Sequence, residues 1–420
     1  MVDIPRSGET TRRDTPAHLA VLDGLRGIAI FVVLWYHVWE WNWLGTEFHV
    51  FGRDVSLQFI PETGFTGVDL FFFISGFVLF YPYARSIFEG KPLQTLAHFA
   101  YRRFIKIVPS YYLQLLILTP WIVAAFSGVT LLKVYVTHLL FIHNWFHDMF
   151  GSVNGVLWTL AVEVQFYVVF PLLCWAFRRW PLVTFAGMLA IANGYRLLEG
   201  RCCIGDYVVM TQMPAFLDLF ACGMLAAWLF VWLRTHVADL QRWQHAWSAL
   251  AIAGFAGYGW LLYGLFKMRV EPNWQYVWGN AHLTILGLVF ILLTVASCLA
   301  ASWWRALLAN RLLVFLSVIS YNLYLWHQLI ATFLAKHSFP LPRTENFAND
   351  RLWQWTYLVI TVVISIAVAS IITYAFERPL LKRGFAAVTD LFSRRWRLAA
   401  PPTASNGRPA SVADSGQTGA

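Results

Sequence analysis

Apolar residues run along this chain in blocks of about twenty, broken by short polar stretches, and a block of that length crosses a hydrocarbon layer as a helix. The pattern predicts ten spans, at roughly 22–41, 64–82, 109–127, 155–176, 181–197, 214–232, 247–265, 281–300, 311–334 and 354–375. The expected fold is all-α: a polytopic integral membrane protein of about ten transmembrane helices. One membrane domain over 21–380 is flanked by an N-terminal tail, 1–20, and a C-terminal tail, 381–420. The latter ends "PPTASNGRPASVADSGQTGA" and is too polar to bury a core, so disorder is expected there. A full-length span follows the polar N-terminus with no small-residue cleavage site, so no cleavable signal is expected. Neither an attached soluble catalytic domain nor an internal repeat is visible.

Composition agrees. Of 420 residues 59% are hydrophobic and 13% charged, about half the charged share of a soluble protein. Many of the 22 tryptophans stand at block ends (Trp39, Trp41, Trp43, Trp145, Trp274, Trp278, Trp326), where an interfacial belt is expected. The formal charge of +9 matters through its distribution. With the N-terminus inside, Lys and Arg favour the inner segments by roughly two to one, which predicts both termini cytoplasmic. Basic residues therefore record topology, and nucleic-acid binding is excluded. Five cysteines make no disulfide framework, and the adjacent Cys202 and Cys203 read as incidental. Arg outnumbers Lys, as in a GC-rich bacterial genome, which suggests a bacterial cytoplasmic (inner) membrane.

Ionisable residues inside a bilayer are costly and mark function. In "LDGLRGIAIFVVLWYHVW", Arg26 and His37 are eleven residues apart, which puts them within about 20° of one helical face and about 16 Å apart along the axis. With the predicted topology His37, Asp69, Glu163 and His327, from four spans, share the outer half of the membrane. Thr159, Glu163 and Tyr167 form one stripe of span four, beside Trp158. Ser317, Ser320, Tyr324 and His327 form one of span nine, and Ser75 lies near the middle of span two. Two histidines able to move protons near neutral pH favour a reactive site over structural glue. A second cluster, Arg102, Arg103 and Lys106 of "HFAYRRFIKIVPSYY", precedes span three at the same edge as Arg26. Positive-inside sorting explains it, and so does a diphosphate held by guanidinium forks.

In order, "LDGLRGIAIFVVLWYH", "GFTGVDLFFFISGFVL", "FAYRRFIKIVPSYY", "LWTLAVEVQFYVVFPLL", "ISYNLYLWH" and "FERPL" resemble the segments of the acyltransferase 3 family of integral membrane O-acyltransferases. The resemblance covers about 20–380 and includes its Arg-x10-His spacing. It implies transfer of an acyl group, usually acetyl, from cytosolic acyl-CoA (acetyl-CoA) to a hydroxyl of a cell-surface glycan, a lipid-linked sugar or a small metabolite. By the same resemblance His37 is catalytic, Arg26 acts with it, the "YRRFIK" loop meets CoA, and Trp158 and Glu163 match a "W-S-L-x-x-E" segment. Thr159 stands for that segment's Ser. Lys106 stands for the last Arg of "R-R-x-x-R", keeping charge and losing the bidentate fork. Family members fused to an extracytoplasmic hydrolase-like domain work in two stages; the stand-alone form is expected here, acylating directly or through a separate extracytoplasmic partner.

The expected chemistry has His37 as general base or acylated relay, with Glu163 or Asp69 orienting it, and with Arg26, Arg102, Arg103 and Lys106 on the CoA end. Outer loops 42–63, 128–154 and 335–353 would frame the acceptor's entrance, and membrane lipids surround the rest. No metal is expected: His138, His143, His147 and Asp148 of "HLLFIHNWFHD" have a spacing that could seat zinc, but nothing else matches a metalloenzyme. The competing class is a proton-coupled transporter or flippase using the His/Asp/Glu cluster.

Overall fold

The computed structural model describes residues 17–344 and 349–384. The expected tails lie almost wholly outside the described residues. Among the described residues, ten helices are long and apolar enough to cross a membrane. They are α1 (Ala17–Asn42), α2 (Gly67–Glu89), α3 (Leu96–Ala125), α4 (Trp158–Arg179), α5 (Pro181–Cys202), α6 (Leu217–His236), α7 (Gln244–Met268), α8 (Trp274–Leu299), α9 (Arg311–Lys336) and α10 (Arg351–Ile372). Each predicted span falls on one of them.

Two tightly packed helix pairs, α2 with α6 and α1 with α9, form the middle of the bundle. Fully buried phenylalanines fill it, among them Phe73, Phe77, Phe166, Phe220 and Phe290, and the Phe166 and Phe220 rings stack at 3.8 Å. Apolar side chains with no protein to cover them, such as Leu116, Trp121, Val168, Leu172, Val183 and Trp260, point outward as a lipid-facing surface requires. The "LDGLRG" motif has a packing role. A Cβ on Gly24 would stand 2.0 Å from the Leu308 carbonyl oxygen, and one on Gly27 would stand 2.3 Å from that of Leu313. Bare backbone at both positions lets α1 lie against the end of the short helix Ser302–Leu308 and the start of α9.

The main departure from expectation is α3. The "YRRFIK" stretch, expected as a loop before a span starting near 109, is helical from Leu96 onward. Thr95 starts it by accepting the His98 N–H at 3.2 Å. Pro109 sits inside the helix and does not interrupt it. Arg102, Arg103 and Lys106 stand at i, i+1 and i+4, so one side of the extra turns carries the charge. The expected loops also hold structure: a hairpin pairs β1 (Glu47–Val50) with β2 (Arg53–Ser56), and Gly128–Leu139 is a helix. Cys202 and Cys203, expected to be incidental, are joined as a disulfide.

Candidate active site: two cavities on one wall

At one end of the bundle a cavity of about 650 Å³ opens beside the start of α3. Arg26, His98, Arg102, Arg103 and Lys106 line its outer part; Ser75, Thr159, Glu163, Tyr167, Ser317, Ser320 and Tyr324 line its inner part. Arg102 is exposed, whereas Arg103 is half-buried over the rings of Phe99 and Tyr167, at 6.0 and 5.9 Å. The Arg103 Nε is buried without a hydrogen-bond partner among the described residues. Glu163 accepts hydrogen bonds from Ser75 Oγ at 2.7 Å and from the Tyr167 hydroxyl. Asp23, one turn before Arg26, accepts from Ser317 Oγ at 3.3 Å.

Lys106 is engaged differently. Its Nζ pairs with the carboxylate of Glu377, and it lies 5.5 Å over the Tyr321 ring. Glu377 is buried and also accepts from Asn322 Nδ2 at 2.6 Å. It ends a π-helical turn, Thr373–Glu377, that follows α10. The "FERPL" segment thus ties the end of the last helix to α3 and α9. An ammonium suits this single carboxylate, and the lost guanidinium fork goes with a structural pairing.

Toward the opposite end lies a second cavity of about 470 Å³. His37 and Asp69 line it with Tyr36, Glu40, Trp158, Arg196, Glu199, Trp274 and Gln328. His37 and His327 meet at its inner wall, with His37 Nδ1 3.1 Å from His327 Nε2 and their rings nearly perpendicular at 73°. Their partners fix both tautomers. His327 Nδ1 faces the carbonyls of Leu323 (3.0 Å) and Tyr324 (2.8 Å), and a carbonyl only accepts, so Nδ1 carries the proton and Nε2 a lone pair. His37 Nδ1 faces that lone pair and the Val33 carbonyl at 3.0 Å, so it too is protonated. The His37 Nε2 then keeps its lone pair, with no hydrogen bond to any described residue.

Val68 and Tyr324 line both cavities. Thr159 Oγ1 and the Tyr324 hydroxyl are 2.8 Å apart, and both reach the Val156 carbonyl, at 2.9 and 3.3 Å. The four-residue cluster expected at one depth is therefore divided. His37 and His327 are bonded, Asp69 shares their cavity, and Glu163 turns into the other one. His37 bonds His327, and neither Glu163 nor Asp69, the expected orienting residues, hydrogen-bonds it. Helical phase decides which side of the wall a residue faces: on α4, Trp158 looks one way and Thr159 and Glu163 the other. The α9 stripe straddles the wall, with Ser317 and Ser320 on the basic side and His327 against His37.

Several site residues were not singled out in the sequence. Tyr36 and Glu40 flank His37, and the unremarked ionisable residue at i+3 within a span was the available signal. Arg196, counted as a topology marker, is buried against Asp218 at 2.8 Å, with Asn193 at 3.1 Å and Thr284 at 3.2 Å completing the network. The His/Asp set considered for zinc does not converge: His147 bonds Asp206 at 2.8 Å and Asp148 bonds Lys133 at 2.6 Å. His138 and His143 stack, ring centroids 4.3 Å apart. Burial pushes their imidazoles down from the ordinary value, to about 4 for His138 and about 3 for His143, so both are neutral.

Comparison with known proteins gives a consistent picture. The model of the family Acyl_transf_3, described as an acyltransferase domain, matches residues 19–374. A peptidoglycan O-acetyltransferase, OatA, of Listeria monocytogenes is 26% identical over 402 residues, covering 89% of this chain and 58% of that protein. YrhL of Bacillus subtilis, named a putative peptidoglycan O-acetyltransferase, is 26% identical over 407 residues, 89% of this chain and 56% of the relative. Putative O-acetyltransferases of Staphylococcus aureus are 24% identical over 385 residues, 87% and 58% of the two chains. The chain thus spans a little over half the length of these curated relatives. No solved structure matches it.

Proposed function

The chain belongs to the acyltransferase 3 family, and from that premise we propose that it carries a short acyl group, acetyl foremost, from acyl-CoA to a hydroxyl acceptor. The observation that carries the reading is the pair of cavities back to back, one basic and one presenting the free Nε2 of His37. The donor enters the basic cavity. Its diphosphate rests on Arg102 and Arg103, with Arg26 deeper; the unpartnered Arg103 Nε supports this, since a buried donor without a partner costs about 1–3 kcal/mol that a phosphate oxygen would relieve. The pantetheine arm runs inward past Ser75, Thr159 and Tyr167.

In the second cavity the acceptor hydroxyl gives its proton to His37 Nε2. Its oxygen forms a bond to the thioester carbon, the C–S bond breaks, and the CoA thiolate takes the proton. His327 accepts from His37 Nδ1–H throughout, holding the ring and sharing the imidazolium charge, the orienting part a carboxylate plays in a Ser-His-Asp triad. The aromatic and acidic lining (Tyr36, Trp158, Trp274, Glu40, Glu199) supports a sugar or other polyhydroxyl acceptor, whose faces stack and whose hydroxyls donate. Relatives named as peptidoglycan O-acetyltransferases support a cell-envelope glycan. Positive-inside sorting supports a cytoplasmic position for the basic cavity, where CoA is available.

The test is release of free CoA from acetyl-CoA by protein in nanodiscs, with and without envelope glycans. Wild type should release CoA only with acceptor, and His37→Ala should lose this by roughly 10²–10⁴-fold. Arg103→Ala should raise the KM for acetyl-CoA. Undiminished turnover in His37→Ala would sink the base. A folded protein that binds no acyl-CoA would return the chain to the transporter class.

A further inference from the structure

Val68, from the first turn of α2, and Tyr324, from the middle of α9, are the two residues that line both the basic cavity and the His37 cavity. They stand where an acyl group moving from one cavity to the other would cross. Both residues are buried. Tyr324 is held at its hydroxyl by Thr159 and Val156, and at its ring by the edge-on contact with Phe71, centroids 6.2 Å apart. Its backbone is held as well, because the carbonyl of Tyr324 accepts from His327, the residue that orients His37. The tyrosine cannot swing far without releasing the hydroxyl bonds or disturbing the imidazole pair. Val68 follows Gly67, whose missing side chain lets α2 pack on α1 with Ala29 O only 2.5 Å from a virtual Cβ. Packing therefore fixes the backbone beside Val68 and both ends of the Tyr324 side chain.

We infer that Val68 and Tyr324 form an acyl-length gate that admits a two- or three-carbon acyl group to His37 and excludes longer chains. The inference rests on the donor reading of the basic cavity and deepens it: the substrate class is short-chain acyl-CoA, selected at this wall. In a close-packed passage each added methylene has to displace fixed atoms, which typically discriminates by 10-fold or more.

Binding of inert thioethers tests the gate without a known acceptor. CoA, S-ethyl-CoA and S-hexyl-CoA are titrated into protein in nanodiscs, wild type beside Val68→Ala, Thr159→Val and Arg103→Ala. Wild type should bind CoA and S-ethyl-CoA within a factor of about 3 and S-hexyl-CoA roughly 10-fold more weakly. Val68→Ala should close most of that gap and leave the Kd for CoA unchanged. Thr159→Val, which removes the hydroxyl holding Tyr324, should close it in part and serves if the alanine variant fails to fold. Arg103→Ala should weaken all three ligands alike. A hexyl chain tolerated by wild type, or a gap that neither wall variant alters, overturns the gate while CoA binding stands. Absence of CoA binding, or binding indifferent to Arg103, overturns the donor reading and the gate with it.

Discussion

His37 lines the second cavity with its Nδ1 engaged by His327 and its Nε2 unshared. A carboxylate partner would favour the imidazolium by charge; His327 is neutral when it accepts, so it orients His37 and stabilises it less. His327→Ala should therefore lower kcat by tens of fold and leave the KM for acetyl-CoA near wild type. His327→Gln, whose amide oxygen can accept from His37 Nδ1–H, should recover part of the loss. If the two variants fall equally, or KM rises with the loss, His327 is a packing residue. The sequence revealed His37 and His327 because intramembrane histidines are rare. It did not reveal their contact, since 290 residues of chain separate them. Nor could depth alone show that Glu163 faces the basic cavity: that depends on rotation about α4, which neighbouring helices set.

The ten helices could be read because each needs only a long apolar run, whereas their ends depend on particular contacts. The first turns of α3 look like a basic loop by composition, yet Thr95 caps them and they bring Arg102 and Arg103 to the cavity mouth. The helix Gly128–Leu139 was likewise unforeseen, and the stacked His138 and His143 lie between its end and the turn that follows. Their neutrality has a sign that can be tested. The folded imidazoles sit near 4 and 3, below the ordinary 6.5, so the unfolded state binds more protons between about pH 6.5 and 4. The stability they contribute is full above that window and declines as pH falls through it. Limited proteolysis or hydrogen exchange over 128–154 should show increasing exposure from pH 7 to 4.5, and a His138→Phe/His143→Phe pair, which keeps two stacked rings, should flatten the response. A flat wild-type profile would mean that the segment opens without unburying the pair.

Across the whole molecule, orientation follows from charge and function together. The proposed donor requires the basic cavity to face the compartment that holds CoA, and the excess of Lys and Arg at that end agrees with it. A single cysteine at Arg85, placed in a background without native cysteines, should react with an impermeant maleimide only after the membrane is opened; one at Arg53, in the hairpin, should react in intact cells. The reverse pattern would invert the topology and move the donor site to the wrong side.

The wall of Val68 and Tyr324 also bears on the membrane as an electrical barrier. An enzyme that serves a donor on one face and an acceptor on the other needs a passage where its host needs an insulator. A permanently open channel of that kind would carry protons and ions down their gradients with every vacant moment of the cycle. Plugging the passage with an isopropyl group and a tethered phenol ring keeps the bilayer resistive while an acyl group is handed across. The same two side chains then decide both what reaches the histidine and how little else does.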